Sequence, residues 1–296
     1  MPYHTSFATG REYIWIVSAR LHRGTAWADA GYEIAFEQFV VRKRVFSPPV
    51  VPGAAPAVSD RNGHITITGH DFTVMFDRQN GRISKYAFQG TDLLKTGPRL
   101  TAFRASIDNS RRLLHQLGKL RDSEDTLLRL TVKVAGNTAV VQARKALVFT
   151  GKAPAPKGKQ GKQRHKASTG PVVTPGLRWT ETYTVYPSGL IKLAADVQPV
   201  GKLPDLPRLG YELHTRPGFD DFSWYGRGPQ ETYSDRKTGA KFGVYSGTVD
   251  QQFVNYPMPQ ENGNKTDVRW ALLQRAGGVG IKVRKRGPTW RGWTAM

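Results

Sequence analysis

His64-Ile65-Thr66-Ile67-Thr68, Phe72-Thr73-Val74-Met75-Phe76 and Ile83-Ser84-Lys85-Tyr86-Ala87-Phe88 follow one another with only short breaks, one at 77–81 and another at Gly90. Such short runs, rich in β-branched and aromatic residues and bounded by Gly, Asp and Asn, predict the antiparallel strands of a meander. Further strands are expected at 127–134, 139–149, 177–186, 191–197, 209–214 and 222–225. That is too many for one small sheet, so the fold is read as all-β, built around a large antiparallel β-sandwich. Only 111–120 has helical spacing: Leu113, Leu114, Leu117 and Leu120 fall on one face, as on a short helix lying against a core. No repeat of about 20–50 residues is visible, which disfavours a propeller or solenoid.

On the N-terminal side, Tyr13-Ile14-Trp15-Ile16-Val17 and Glu33-Ile34-Ala35-Phe36-Glu37-Gln38-Phe39-Val40-Val41 are also β-rich. The second run alternates, with Ile34, Phe36 and Gln38 opposed to Ala35, Glu37 and Phe39. Together they read as the last strands of a small sandwich over 1–46. The Pro-rich stretch 47–57 then removes backbone donors and favours extended geometry, so it is read as a linker, with a second domain over 58–296. Within that domain, 150–176 is rich in Gly, Pro, Lys and Gln. A segment of that kind buries too little apolar area to offset its ordering entropy, and a flexible surface insertion is expected there.

Composition agrees with many turns and short strands: 31 Gly and 19 Pro accompany 7 Trp, 11 Tyr and 13 Phe. The 296 residues are 39% hydrophobic, enough for a sizeable core. There is no cysteine, hence no disulfide framework and no thiolate metal site, and a cytoplasmic location is compatible. The first ten residues show no basic stretch followed by an apolar run, and nothing later approaches the roughly 18 apolar residues of a membrane span, so a soluble chain is expected. Lys and Arg total 44 against 23 Asp and Glu, a formal charge of +21. Much of that excess is local. Lys152, Lys157, Lys159, Lys162, Arg164 and Lys166 lie in a stretch without acids or aromatic stacking platforms, and Arg284, Lys285, Arg286 and Arg291 lie near the end. A solvated basic loop accounts for this better than a nucleic-acid surface does.

The densest chemistry is Trp224-Tyr225-Gly226-Arg227-Gly228-Pro229-Gln230-Glu231-Thr232-Tyr233-Ser234-Asp235-Arg236-Lys237-Thr238-Gly239. Aromatic faces beside Asp, Glu and Arg are the groups that hold a sugar by stacking and hydroxyl hydrogen bonds, and glycines allow close backbone approach. A turn whose Asp235 and Arg236 merely pair with neighbours is the structural alternative.

That stretch, followed by Tyr256-Pro257-Met258-Pro259-Gln260-Glu261-Asn262-Gly263-Asn264-Lys265-Thr266-Asp267-Val268-Arg269-Trp270, resembles the C-terminal region of family 2 β-galactosidases. In the same order, 25–39 is similar to the end of their preceding immunoglobulin-like domain, and 103–109 to a loop of their galactose mutarotase-like supersandwich. The resemblance implies a retaining glycosidase acting on terminal β-galactosides such as lactose. Its acid/base and nucleophile glutamates would belong to a barrel outside this sequence. It further implies that this chain is a small subunit or C-terminal part, inactive alone, with a barrel-bearing partner or preceding region, an oligomeric assembly, and Mg2+ and Na+ in the complete enzyme. No catalytic or metal-ligating residue is assigned within the chain.

Asp108 and Asn109 match a family loop close to the substrate pocket and are the substrate-binding candidates, although Ser110 and Arg111 depart from the family pattern. Trp224, Glu231, Tyr233, Asp235, Arg236, Gln260, Glu261 and Asn262 are family-motif residues expected to serve packing or an interface. The terminal residues 283–296 also depart from the pattern, and the expectation is a chain cut short at its C-terminus. Two other readings stand beside this one: a free-standing carbohydrate-binding or aldose-epimerase-like sandwich using a His and a Glu, and polyanion binding marked by steep salt dependence.

Overall fold

A computed structural model of the chain describes residues 7–8, 10–43, 51–113, 120–121, 123–149, 175–203 and 205–284. The basic stretch 150–174, residues 47–50 of the Pro-rich linker and the tail 285–296 lie outside the described residues, as do 114–119. The architecture is almost entirely β. In chain order the strands are β1 (Tyr13–Arg20), β2 (Glu33–Arg42), β3 (Ala57–Arg61), β4 (His64–Thr68), β5 (Phe72–Asp77), β6 (Ile83–Phe88), β7 (Thr91–Asp92), β8 (Leu94–Thr101), β9 (Asp125–Ala135), β10 (Thr138–Val148), β11 (Gly176–Val185), β12 (Ile191–Val200), β13 (Gly210–Thr215), β14 (Asp221–Gly228), β15 (Lys241–Thr248), β16 (Trp270–Gln274) and β17 (Gly280–Arg284). Every pairing between them is antiparallel. No helix among the described residues is long and apolar enough to cross a membrane.

The chain divides into two compact units. One comprises 51–219 with 255–261 and holds the expected meander, in the order β3-β4-β5-β6-β7, the pair β13-β8, and the sheet β12-β11-β10-β9. Strand alternation builds its core. Ile65, Ile67, Val74 and Phe76 point inward from β4 and β5, Ala139, Val141 and Ala143 from β10, and Tyr183 and Val185 from β11, all fully buried. The Phe76 and Tyr183 rings meet edge to face at 5.1 Å, which brings the meander and the β9–β12 sheet together. A second cluster packs Leu100, Ala102, Leu147, Phe149, Leu177 and Trp179 around Leu120.

Leu120 thus occupies the core position that its spacing implies. The preceding segment is a 3₁₀ turn, Asp108–Leu113, which begins before the expected helix. The 77–81 turn closes through Asp77, whose side chain accepts the Gln79 N–H at 2.6 Å and whose carbonyl accepts the Gly81 N–H at 2.8 Å. Gly81 holds φ +66°, and a Cβ there would lie 2.8 Å from Leu127 Cδ1, so both backbone and space call for glycine.

The other unit comprises 1–50, 220–254 and 262–296 and contains the β1-β2 hairpin and the sheet β15-β14-β16-β17. Phe222, Trp224, Val268 and Ala271 form its buried cluster, with Tyr245, Val249 and Leu273 packed around them. The hairpin is tied to β15 by the Gln38 amide, which brackets the Phe242 backbone: Nε2 donates to the carbonyl at 3.0 Å and Oε1 accepts the N–H at 2.5 Å. Glu12, just ahead of β1, accepts two bonds from Arg269, at 2.7 and 3.1 Å, and one from the Tyr225 hydroxyl at 3.1 Å. Burial, reinforced by the Glu12 carboxylate, pushes the Tyr225 phenol up to about 12.

Candidate functional site

The motif around Glu231 runs from the end of β14 to the start of β15, and the stretch from 262 to β16 lies against it. Close approach is what the glycines permit: a Cβ at Gly226 would come within 3.0 Å of Val268 Cα, and one at Gly228 within 2.8 Å of Tyr245 Cδ2. Backbone and side chains then zip the two stretches together. Thr232 N–H donates to the Asn264 carbonyl at 2.7 Å, Asn264 Nδ2 returns a bond to the Thr232 carbonyl at 2.6 Å, and Thr266 N–H donates to Thr232 Oγ1 at 2.8 Å. These groups are buried, and each finds its partner in the opposite stretch.

Glu231 sits at the centre of this arrangement and is 8% exposed. Its Oε2 accepts the Gly263 N–H at 2.8 Å and faces the Tyr233 hydroxyl at 3.5 Å, and its Oε1 is ion-paired with Arg236. Tyr233 and Arg236 close the intervening turn by reciprocal backbone bonds of 3.0 and 3.1 Å, with the guanidinium over the Tyr233 ring. Asp235 is exposed at the turn and makes no ion pair among the described residues. Trp224, 1% exposed, donates its indole N–H to the Arg227 carbonyl at 3.0 Å and is capped by the Lys265 ammonium 4.7 Å from its ring. Arg227 pairs with Asp267 at 2.7 Å. Burial acts against the Asp267 charge, but Arg227, Lys237 and Arg269 outweigh it and hold the carboxyl below its ordinary range.

Lys265 is 3% exposed, donates to the Pro229 carbonyl at 3.1 Å, and is lowered to about 8 by burial, with Glu231 acting in the opposite direction. Its folded pKa therefore lies below the unfolded lysine value of about 10.4. Between about 8 and 10 the unfolded chain carries the extra proton, so this group makes stability rise with pH across that window. Thermal melts at closely spaced pH values should show that rise in the parent chain and a flatter profile in Lys265→Met. Parallel profiles would mean that Lys265 keeps its proton throughout.

The substrate-binding candidates lie in the other unit. Asp108 and Asn109 open the 3₁₀ turn after 103–107, and Ser110 Oγ fixes the turn through the Ile107 N–H at 2.9 Å and the Ile107 carbonyl at 3.1 Å. The 255–261 segment pins this loop. Asp108 N–H donates to Gln260 Oε1 at 3.3 Å, Glu261 N–H donates to the Ser106 carbonyl at 3.1 Å, and Arg104 stands 3.9 Å from the Glu261 carboxylate. The structure thus joins Asp108 with Gln260 and Glu261, residues about 150 positions apart. Asn262 belongs with the following stretch, where its Oδ1 accepts the Val254 N–H at 3.3 Å.

His214 has Thr96 Oγ1 at 2.6 Å and Glu212 at 3.1 Å. An acid and a base that act on opposite sides of a sugar ring stand apart, whereas these two touch. Among the described residues no three His, Asp or Glu side chains come together as a metal site.

One polar cluster escaped the sequence reading. In the larger unit, Lys145 and Glu181 are fully buried and 3.0 Å apart. Glu181 also accepts bonds from Trp179 Nε1 at 2.9 Å, Tyr211 at 3.0 Å and Tyr183 at 3.1 Å, and Asp125 bridges Lys145 and Arg82. Parity was the available signal. Lys145 continues the inward row Ala139, Val141, Ala143 and precedes Leu147, and Glu181 stands between Trp179 and Tyr183. Burial lowers the Lys145 pKa against the pull of Glu181, and it raises Tyr183 and Tyr211, which Glu181 raises further.

Comparison with known proteins matches two families to successive parts of the chain. The family described as beta galactosidase small chain matches residues 68–289, and that described as beta-galactosidase, domain 4 matches residues 1–42. A beta-galactosidase of Priestia megaterium is 35% identical over 279 residues, covering 92% of this chain and 24% of the relative. A beta-galactosidase of Lactobacillus delbrueckii subsp. bulgaricus is 30% identical and covers 90% of this chain and 24% of its own length. Beta-galactosidase BgaC of Bifidobacterium adolescentis is 29% identical, covering 94% and 25%. The chain spans about a quarter of the length of these curated relatives. With three-quarters of its residues inside the first family match, the chain belongs to the β-galactosidase small chain family.

Proposed function

We propose that this chain forms the C-terminal part or small subunit of a retaining β-galactosidase, shaping the pocket for terminal β-galactosides such as lactose while a barrel on another stretch of polypeptide cleaves the bond. The carrying observation is the small-chain match over 68–289 in a chain that corresponds to only about a quarter of each relative. The hairpin supports the need for further polypeptide. Trp15, Val17 and Phe39 lie on one face of β1 and β2 and are 56%, 59% and 52% exposed, an apolar surface that other strands of a small sandwich would cover.

In this reading 1–46 closes an immunoglobulin-like domain, 47–57 links it to the supersandwich, and the assembled enzyme is a cytoplasmic oligomer that takes Mg2+ and Na+ on residues outside this chain. Asp108 and Asn109 face the galactoside from a loop anchored by Gln260 and Glu261. The Glu231 cluster holds the 220–254 and 262–284 stretches of the other unit together.

The purified chain alone is expected to leave a chromogenic β-galactoside intact. Mixing it with the Priestia megaterium relative cut before the matched region should yield turnover that neither piece shows separately. Robust hydrolysis by the isolated chain would overturn the placement of the catalytic acids.

A further inference from the structure

The outer face of the β9–β12 sheet carries charge that nothing in the described residues answers. Strand register arranges it in rows. One row reads Asp196, Thr180, Arg144, Arg129 across β12, β11, β10 and β9, and the next reads Ala194, Thr182, Gln142, Thr131. Arg129 and Arg144 are direct cross-strand partners, an arrangement of like charges that costs stability on a sheet surface. Neither makes a hydrogen bond or ion pair among the described residues. Asp196 stands two strand spacings of about 4.8 Å from Arg144 and pairs with neither arginine.

A β-bulge interrupts the β9–β10 register immediately beside this pair, where Arg144 faces Arg129 but Lys145 faces Leu127. Bulges re-aim the side chains next to them. Beside this one lies an open depression of about 290 Å³ lined by Arg129, Thr131, Gln142, Arg144 and Thr180, two guanidiniums, two hydroxyls and an amide without a carboxylate.

We propose that this depression is an oxyanion site, in which Arg129 and Arg144 together hold a phosphate or sulfate monoester group and Thr131, Thr180 and Gln142 supply further donors. Paired guanidiniums match the geometry of such a group, and its negative charge removes their mutual repulsion. The lining has no aromatic face on which bases could stack, which separates this site from a nucleic-acid surface. The proposal is independent of the galactoside reading, since the depression shares no residue with the Asp108 or Glu231 clusters.

The test is titration of the full chain with inorganic phosphate and, separately, inorganic sulfate at constant ionic strength, followed by calorimetry and by thermal melting. Saturable binding of one or both anions is expected, and the anion that binds more tightly identifies the ester. Arg129→Gln with Arg144→Gln should weaken binding about tenfold or more. Without anion this double variant should melt at or above the parent temperature, because a repulsive pair has gone. A control with the same charge loss, Lys133→Gln with Arg178→Gln, should bind as the parent does. Equal weakening in both double variants, or none in the first, overturns the site. So does tighter binding of an oligothymidylate or polyglutamate that depends equally on all four positions.

Discussion

Replacing Glu181 by alanine is expected to destabilise the chain by about 3–5 kcal/mol, the usual cost of removing one partner of a buried ion pair. Among the described residues the Lys145 ammonium would keep only Asp125, at 3.6 Å, and the donors of Trp179, Tyr183 and Tyr211 would lose their shared acceptor. Because burial already lowers the Lys145 pKa, loss of Glu181 should lower it further. The unfolded chain then binds a proton that the folded variant does not, so the deficit should shrink as pH rises toward the ordinary lysine range. Removing the charges together should cost far less. Lys145→Met with Glu181→Gln keeps an acceptor for the aromatic donors and is expected to stay within about 2 kcal/mol of the parent in urea melts. An equal loss in the double variant would show that the intact ion pair itself, rather than the charge left uncompensated, accounts for the cost.

This network also marks how far the sequence could be read. The strands that were legible, such as β4, β5 and β11, have β-branched or aromatic residues at nearly every second position and turn residues at their ends, and β10 has an alternating buried row. Their observed limits fall within a few residues of expectation. The strands that were not legible carry residues that ordinarily break strands. β8 contains Gly97 and Pro98, and β15 contains Gly243 and Gly247. Gly97 has a long-range reason: a Cβ there would sit 2.3 Å from the Ile83 carbonyl oxygen, so the strand needs the residue that hides it from a propensity reading. β3, Ala57-Val58-Ser59-Asp60-Arg61, is mostly polar and holds its place by pairing with β4.

The candidate residues divide in the same way. The two motifs were conspicuous as motifs, but their joining through Thr232, Asn264 and Thr266 depends on β14 and β16 pairing across more than 40 residues. No local pattern encodes that contact. The anchoring of Asp108 by Gln260 is still longer in range. Glu231 reads in sequence as one more acid beside an arginine, and only burial separates it from a surface pair such as Arg20 with Glu33.

Glu231→Ala should therefore behave as a core substitution. The carboxylate accepts the Gly263 N–H from the opposite stretch and pairs with Arg236, and charge-assisted bonds of this kind contribute about 1.5–3 kcal/mol each. Part of the arginine contribution is screened, because the Arg236 side chain is 60% exposed, so a total loss of about 3 kcal/mol is expected. Glu231→Gln retains an acceptor for Gly263 and should lose about half as much, in keeping with the lower strength of neutral hydrogen bonds. In an enzyme assembled with a barrel-bearing partner, both variants should lose turnover only in step with lost folding or assembly. Both effects are measurable by melting the isolated chain and by sizing the mixture. If Glu231→Gln melts and assembles like the parent while turnover falls, the carboxylate acts on the bound sugar. The packing role argued from its burial would then be wrong.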